Sequence, residues 1–240
     1  MDGPIALVGS GEFTQAMEPV DRILLDATGR TRPVVAVLPT ASVPDGELVF
    51  RRWAEMGREH FARLGADPRA VLCRTREDAD DPAHVEPIDA ADLIYLSGGK
   101  PDYLVAALAG SRVAAALRSA VERGAAVAGS SAGAMALAER TFGLRRSLRR
   151  PLGWSPALGL VPGVAVIPHY DALPEPLLAA VALQAPPGLL VLGIDEDTAL
   201  VGRLGSWQVL GRRRVTVWHG SRHTRHRVGD VVRLPAARAR

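Results

Sequence analysis

The run from Ala125 to Ala138 constrains this chain more than any other. It opens as Ala125-Ala126-Val127-Ala128, passes through Gly129-Ser130-Ser131-Ala132-Gly133, and continues Ala-rich to Ala138. That order predicts a buried strand, a sharp turn and a helix. Gly129-x-Ser131-x-Gly133 fits the nucleophile-elbow pattern, in which a serine sits on a strained strand-to-helix turn. Small flanking residues let the backbone turn tightly and let a substrate reach the hydroxyl. A helix beginning at Ala132 would aim unpaired N–H groups and its positive dipole end at developing negative charge. The same small residues could also pack a turn without chemistry. The pentapeptide alone leaves both readings open.

A chain of 240 residues, 48% hydrophobic, has room for one substantial α/β domain spanning 1–240. Cys73 is the only cysteine, so no internal disulfide forms and a cytoplasmic setting is expected. No apolar run approaches the ~20 residues of a membrane span, and no basic-then-apolar leader is visible. Net charge is +3, with basic residues concentrated over 145–150 and 212–240. Arginine supplies nearly all of them, Lys100 being the sole lysine. No RNA- or DNA-recognition module accompanies them, so neither nucleic acid nor membrane is an expected partner. Oligomeric state is not readable, which leaves a homo-oligomer open.

Along the chain, Pro4 to Val8 reads as a first buried strand ending in Gly9-Ser10-Gly11-Glu12-Phe13. Its GxG is a weak dinucleotide signal, because the third glycine is missing. Glu18 to Ala27 and Glu47 to Leu64 carry helical period, and His60 in the second reads as a surface or packing histidine. Pro33 to Leu38 and Ala70 to Cys73 read as strands, and Arg76 to Pro87 as an acidic connection. Asp92 to Ser97 is a strand running into Gly98-Gly99-Lys100. Ser111 to Arg123 is a helix with a Ser cap and a Gly stop. Arg140 to Pro162 reads as a covering loop with short helical pieces. Strands at Val164 to Ile167 and Leu189 to Ile194 bracket a helix over Pro174 to Gln184. Short alternating runs beyond Val201 predict β-hairpins on the sheet edge.

Four segments resemble peptidase family S51, which includes dipeptidase E and cyanophycinase. They are Ser-Ala-Gly-Ala at 131–134, Ala6-Leu7-Val8-Gly9-Ser10-Gly11-Glu12, Pro39-Thr40-Ala41-Ser42, and Gly193-Ile194-Asp195-Glu196-x-Thr198-Ala199. The resemblance implies a serine hydrolase on a three-layer α/β/α sandwich like that of class I glutamine amidotransferases, with a mainly parallel sheet and C-terminal β-hairpins. It implies Ser131 as nucleophile and His169, in Pro168-His169-Tyr170, as base. It also implies an oxyanion hole from Ala132 with Gly98 or Gly99. The substrate implied is a small peptide or amide, and no cofactor or metal is needed. Related enzymes prefer acidic residues or arginyl-aspartyl linkages. Lys100 stands where an amide side chain usually follows the glycine pair. It either favours an anionic substrate group or merely points to water.

A serine hydroxyl needs a neighbouring base, and the base needs an orienting group. Family triads usually take a carboxylate between serine and histidine, but none lies between Glu139 and Asp171. Asp171 is the first substitute, because a carboxylate two residues past the histidine resembles the arrangement in glutamine amidotransferases, and alternation along an extended segment also puts 169 and 171 on one face. Glu139 is second, and Asp195 or Glu196 third. His219, His223 and His226 lie among arginines without a carboxylate or cysteine nearby, which argues against a metal there. Two rival functions remain: a family member that lost its acid and now binds a ligand or partner, and an esterase or amidase acting on a non-peptide metabolite.

Overall fold

The computed structural model describes residues 3–144, 152–203 and 205–234. Five short strands form the parallel heart of the larger sheet, four of them apolar runs. These are β1 (Ile5–Val8), β2 (Val34–Leu38), β3 (Asp67–Ala70), β4 (Leu93–Leu96) and β5 (Ala126–Ser130). They lie in the order β1-β5-β4-β2-β3. The side chains of β1, β4 and β5 are buried throughout, as expected for strands covered on both faces.

Helices cover those faces. On one side α1 (Glu18–Asp26) and α2 (Glu47–Arg63) bury Val20, Leu24 and Phe61 against Ala6, Val8, Val37 and Tyr95. On the other, α3 (Pro82–Asp89), α4 (Pro101–Leu108), α5 (Arg112–Glu122) and α6 (Ala132–Leu137) share a core with Leu7, Leu38, Leu96 and Val127. The α3 helix lies inside the expected acidic connection. Pro82 opens it and the Asp81 side chain accepts from Ala83 N at 2.9 Å, a start signal that the clustered acids obscure. Likewise α4 follows Gly98-Gly99-Lys100 directly, where the sequence shows only a turn.

The expected mainly parallel sheet with C-terminal edge hairpins is present, and a second, six-stranded sheet accompanies it where the sequence reading has only one. Its members are β6 (Ala138–Leu144), β7 (Leu152–Pro156), β8 (Val161–Ile167), β9 (Leu190–Ile194), β12 (Arg214–His219) and β13 (Arg222–Arg227). The larger sheet keeps β10 (Thr198–Arg203), β11 (Ser206–Gly211) and β14 (Val231–Val232). Pairing explains the division: β10 lies antiparallel on the free edge of β1, so β8 and β9 have no place there and pair with each other and with β6. The stretch read as a covering loop is therefore largely the β6–β7 hairpin. Its arginines, Arg145, Arg146, Arg149 and Arg150, fall outside the described residues, as does the arginine tail beyond 234.

Val164, Val166, Leu192 and Ile194 pack into the same core as Leu7 and Val127. The second sheet's other face holds Ile167, Val191 and Trp218 under α7 (Glu175–Leu183). Among the described residues no single helix is long and apolar enough to cross a membrane.

Candidate active site

Ser131 sits where β5 becomes α6, with φ 49° and ψ −108°. A non-glycine residue held there costs ~1–3 kcal/mol, which the surrounding packing must offset. Two glycines make the turn sterically feasible. A Cβ on Gly129 would lie 2.5 Å from the Gly133 carbonyl carbon, and one on Gly133 would lie 2.3 Å from the Leu96 oxygen. The strand, the helix start and β4 thus approach more closely than any side chain would permit.

His169 follows β8, also at φ 49°. Its neighbour Tyr170 anchors it: the Tyr170 ring is buried against β9, and its hydroxyl accepts from Trp218 Nε1 at 2.9 Å. Tyr170 N donates to Ile194 O at 3.1 Å, which ties this turn to the end of β9. From that strand end the chain supplies Glu196, and β10 begins two residues later.

These turns bring three side chains into one line. Ser131 Oγ lies 3.0 Å from His169 Nε2, and His169 Nδ1 lies 2.9 Å from Glu196 Oε1. A carboxylate only accepts, so Nδ1 carries the ring proton and Nε2 is left to accept from the serine hydroxyl. The His169 and Glu196 side chains are 42% and 41% exposed, so this relay is open to an incoming molecule.

The acid beside the imidazole is therefore Glu196, the third-ranked expectation, and the Asp171 expectation is corrected. The alternation argument required an extended chain, but 169–172 is a turn in which Ala172 N donates to His169 O at 3.0 Å. Asp171 points instead at the backbone of Glu196, accepting from its N–H at 2.8 Å, and at Arg213, with which it is ion-paired. It holds the acid's turn without touching the ring. Glu139 is corrected too: its carboxylate accepts from Gly163 N at 2.7 Å, tying β6 to β8. Asp195 is buried and faces Arg214 at 3.4 Å, and desolvation holds its carboxyl above the usual range. The available signal for Glu196 was the Gly-Ile-Asp-Glu segment at the end of a core strand, where α/β sheets place their sites.

The glycine pair also divides. Gly98 N donates to the Glu12 carboxylate at 2.9 Å and is not free to bind an oxyanion. Among the described residues, neither Gly99 N nor Ala132 N has a protein acceptor. Lys100 is 60% exposed, with Nζ 3.4 Å from Asp45.

The sequence model of peptidase family S51 matches residues 5–209. The chain belongs to peptidase family S51. Among S51 relatives, the cyanophycinase of Nostoc sp. (strain PCC 7120 / SAG 25.82 / UTEX 2576) is 26% identical over 220 residues. That match covers 89% of this chain and 72% of the relative. The cyanophycinase of Geminocystis herdmanii (strain PCC 6308) is 27% identical over 223 residues, covering 90% and 80%. A peptidase from an acI-B1 Actinobacterium superposes with a TM-score of 0.88 at 32% identity, covering 98% of both chains. A putative peptidase E protein from Listeria monocytogenes EGD-e shares the fold, with a TM-score of 0.59 at 17% identity over 95% of this chain and all of that one. The S51 chain described here is a peptidase-type hydrolase of mixed α/β architecture, like these glutamine amidotransferase-like neighbours.

Proposed function

We propose that this protein is a serine hydrolase that cleaves an amide bond in a small peptide or peptide-like substrate. The observation that carries this reading is the unbroken Ser131–His169–Glu196 hydrogen-bond line. Ser131 Oγ, on its nucleophile elbow, attacks the scissile carbonyl while His169 Nε2 takes its proton. Glu196 holds the imidazole in the tautomer that can accept and stabilises the imidazolium that forms. The Ala132 N–H, at the start of α6, and the Gly99 N–H face the oxyanion that develops. His169 then returns the proton to the leaving amine.

The degraded-enzyme alternative rested on a missing acid. With Glu196 beside the ring, that motive falls away. The cyanophycinase relatives favour an aspartyl-arginine linkage as the first amide to try, and Lys100 is proposed to meet a substrate carboxylate. The test is labelling with an alkyl fluorophosphonate followed by peptide mass mapping. The adduct should sit on Ser131 and disappear in Ser131→Ala, whose melting should change by less than about 1 kcal/mol because one hydroxyl is lost. Labelling elsewhere, or none in the folded wild type, would contradict the reading.

A further inference from the structure

The glycine-rich turn after β1 takes no part in the relay, yet it reaches the same place. Glu12, at that turn, is a carboxylate only 7% exposed. Both of its oxygens are used: Oε1 accepts from Gly98 N at 2.9 Å and Oε2 accepts from Ser130 Oγ at 2.6 Å. Gly98 lies two residues past the end of β4, and Ser130 ends β5 immediately before Ser131. Since β1, β5 and β4 are consecutive in the sheet, one carboxylate ties three adjacent strand ends together beneath the nucleophile.

The packing at Gly98 shows how close this tie lies to the chemistry. A Cβ placed there would lie 2.6 Å from Glu12 Oε1 and 3.5 Å from the Ser131 Cβ. The Gly98 N–H is turned inward to Glu12. Two residues on, Lys100 N donates to Ala41 O at 2.7 Å. Between these two fixed amides Gly99 takes φ +141°, and its own N–H is left without a protein partner among the described residues. The turn cannot relax outward either. Phe13, at φ 63° and 8% exposed, is wedged among Tyr95, His60 and Phe61 at ring separations of 5.2, 5.7 and 6.0 Å.

We propose that Glu12 is a positioning residue whose carboxylate, by holding Gly98 N–H and Ser130 Oγ, sets the Gly99 amide and the Ser131 turn in the geometry that receives the oxyanion. It touches neither substrate nor His169 and acts through the two backbone segments it joins. This inference rests on the serine-hydrolase reading above. Hydrogen bonds to a buried carboxylate are short and directional, so deleting the group frees a peptide that, among the described residues, no other side chain holds. A misplaced oxyanion donor lowers the rate of the bond-forming step rather than the affinity of the encounter.

The test is the kinetics of fluorophosphonate labelling, resolved into reversible affinity and maximal inactivation rate. It is run on protein shown by thermal melting to be folded at the assay temperature. Glu12→Ala should lower the maximal rate at least 30-fold and leave the affinity within threefold. Glu12→Gln keeps an oxygen for Gly98 N–H and offers its NH₂ group to Ser130 Oγ, so it should recover to within tenfold of wild type. Should Glu12→Ala not fold, Ser130→Ala, which removes one of the two bonds without a volume penalty, should still slow the maximal rate three- to tenfold. A Glu12→Ala protein that labels at the wild-type rate would overturn the proposal and leave the hydrolase reading standing. So would a Glu12→Gln protein as slow as Glu12→Ala. A wild type that does not label would contradict the hydrolase reading and this proposal together.

Discussion

Among the described residues are two histidine–carboxylate pairs of nearly equal length and opposite design. His60 Nε2 lies 2.7 Å from Asp21 Oδ2, both side chains 1% exposed. His169 Nδ1 lies 2.9 Å from Glu196 Oε1, both side chains about two-fifths exposed. In the buried pair Arg63 donates to His60 Nδ1 at 3.2 Å, so the ring proton sits on Nε2 and goes to Asp21. Every position on that ring is committed. In the open pair the carboxylate takes the Nδ1 proton, and Nε2 is left facing a serine hydroxyl 3.0 Å away. The pairing chemistry is shared; which nitrogen is left free, and what it faces, separates a structural clamp from the proposed active centre. Burial also acts on Asp21, where desolvation lifts the carboxyl above its ordinary range against the opposing pull of His60.

The largest effect that could break this contrast belongs to His169. His169→Ala should slow fluorophosphonate labelling about 10⁴-fold, while the melting free energy moves by no more than about 1 kcal/mol, because the side chain is half-exposed. His60→Ala should do the reverse. Removing one partner of a buried pair leaves the other uncompensated and costs about 3–5 kcal/mol, yet the folded fraction should label far closer to the wild-type rate than His169→Ala does. Equal activity losses in the two variants would erase the distinction.

Cys73 sharpens the comparison from the stability side. Its thiol is buried and pushed up to about 12, chiefly by desolvation and next by Asp78. The thiolate is the reactive species, so iodoacetamide at pH 8 should leave the native protein unmodified and should alkylate it on unfolding. Alkylation should be faster in His60→Ala than in wild type and unchanged in His169→Ala.

The smallest expected effect is at Lys100. With a carboxylate substrate, Lys100→Met should lower kcat/KM no more than tenfold, or about 1.4 kcal/mol. The side chain is exposed and already near Asp45, so neutral substrates should be unaffected. Comparison of kcat/KM for acidic and neutral analogues in both proteins checks this.

The same contrast explains how much was legible in the sequence. Ser131 and its strand-to-helix turn are local: the apolar run, the two glycines and the alanines are contiguous, and each has one geometric use. His169 could be placed because its Pro168-His169-Tyr170 setting resembles that of the family's catalytic histidine. Glu196 could not be ranked above Asp171, because the choice depends on whether 169–172 is extended or turned, and a residue at φ 49° reverses the alternation on which that ranking stood. The second sheet was hidden for a related reason. The runs of β8 and β9 read as buried parallel strands, and nothing within them tells that β10 already occupies the edge of β1. The Asp21–His60 pair lies 39 residues apart on helices whose periodicity places both residues without showing that they meet.

Glu196, and not Asp171, is proposed as the carboxylate that makes His169 a base. The measurement that tests it most directly is the fluorophosphonate labelling rate of Ser131 in Glu196→Gln and Asp171→Asn beside wild type, on protein folded at the assay temperature. Loss of the orienting acid costs about 10⁴-fold in serine hydrolases, so Glu196→Gln should fall by two to four orders of magnitude, an approximate range on that basis. Asp171→Asn, whose side chain meets the Glu196 backbone and Arg213 but not the ring, should fall by roughly tenfold or less. A Glu196→Gln protein that labels like wild type, or an Asp171→Asn protein that loses more than Glu196→Gln, would contradict it.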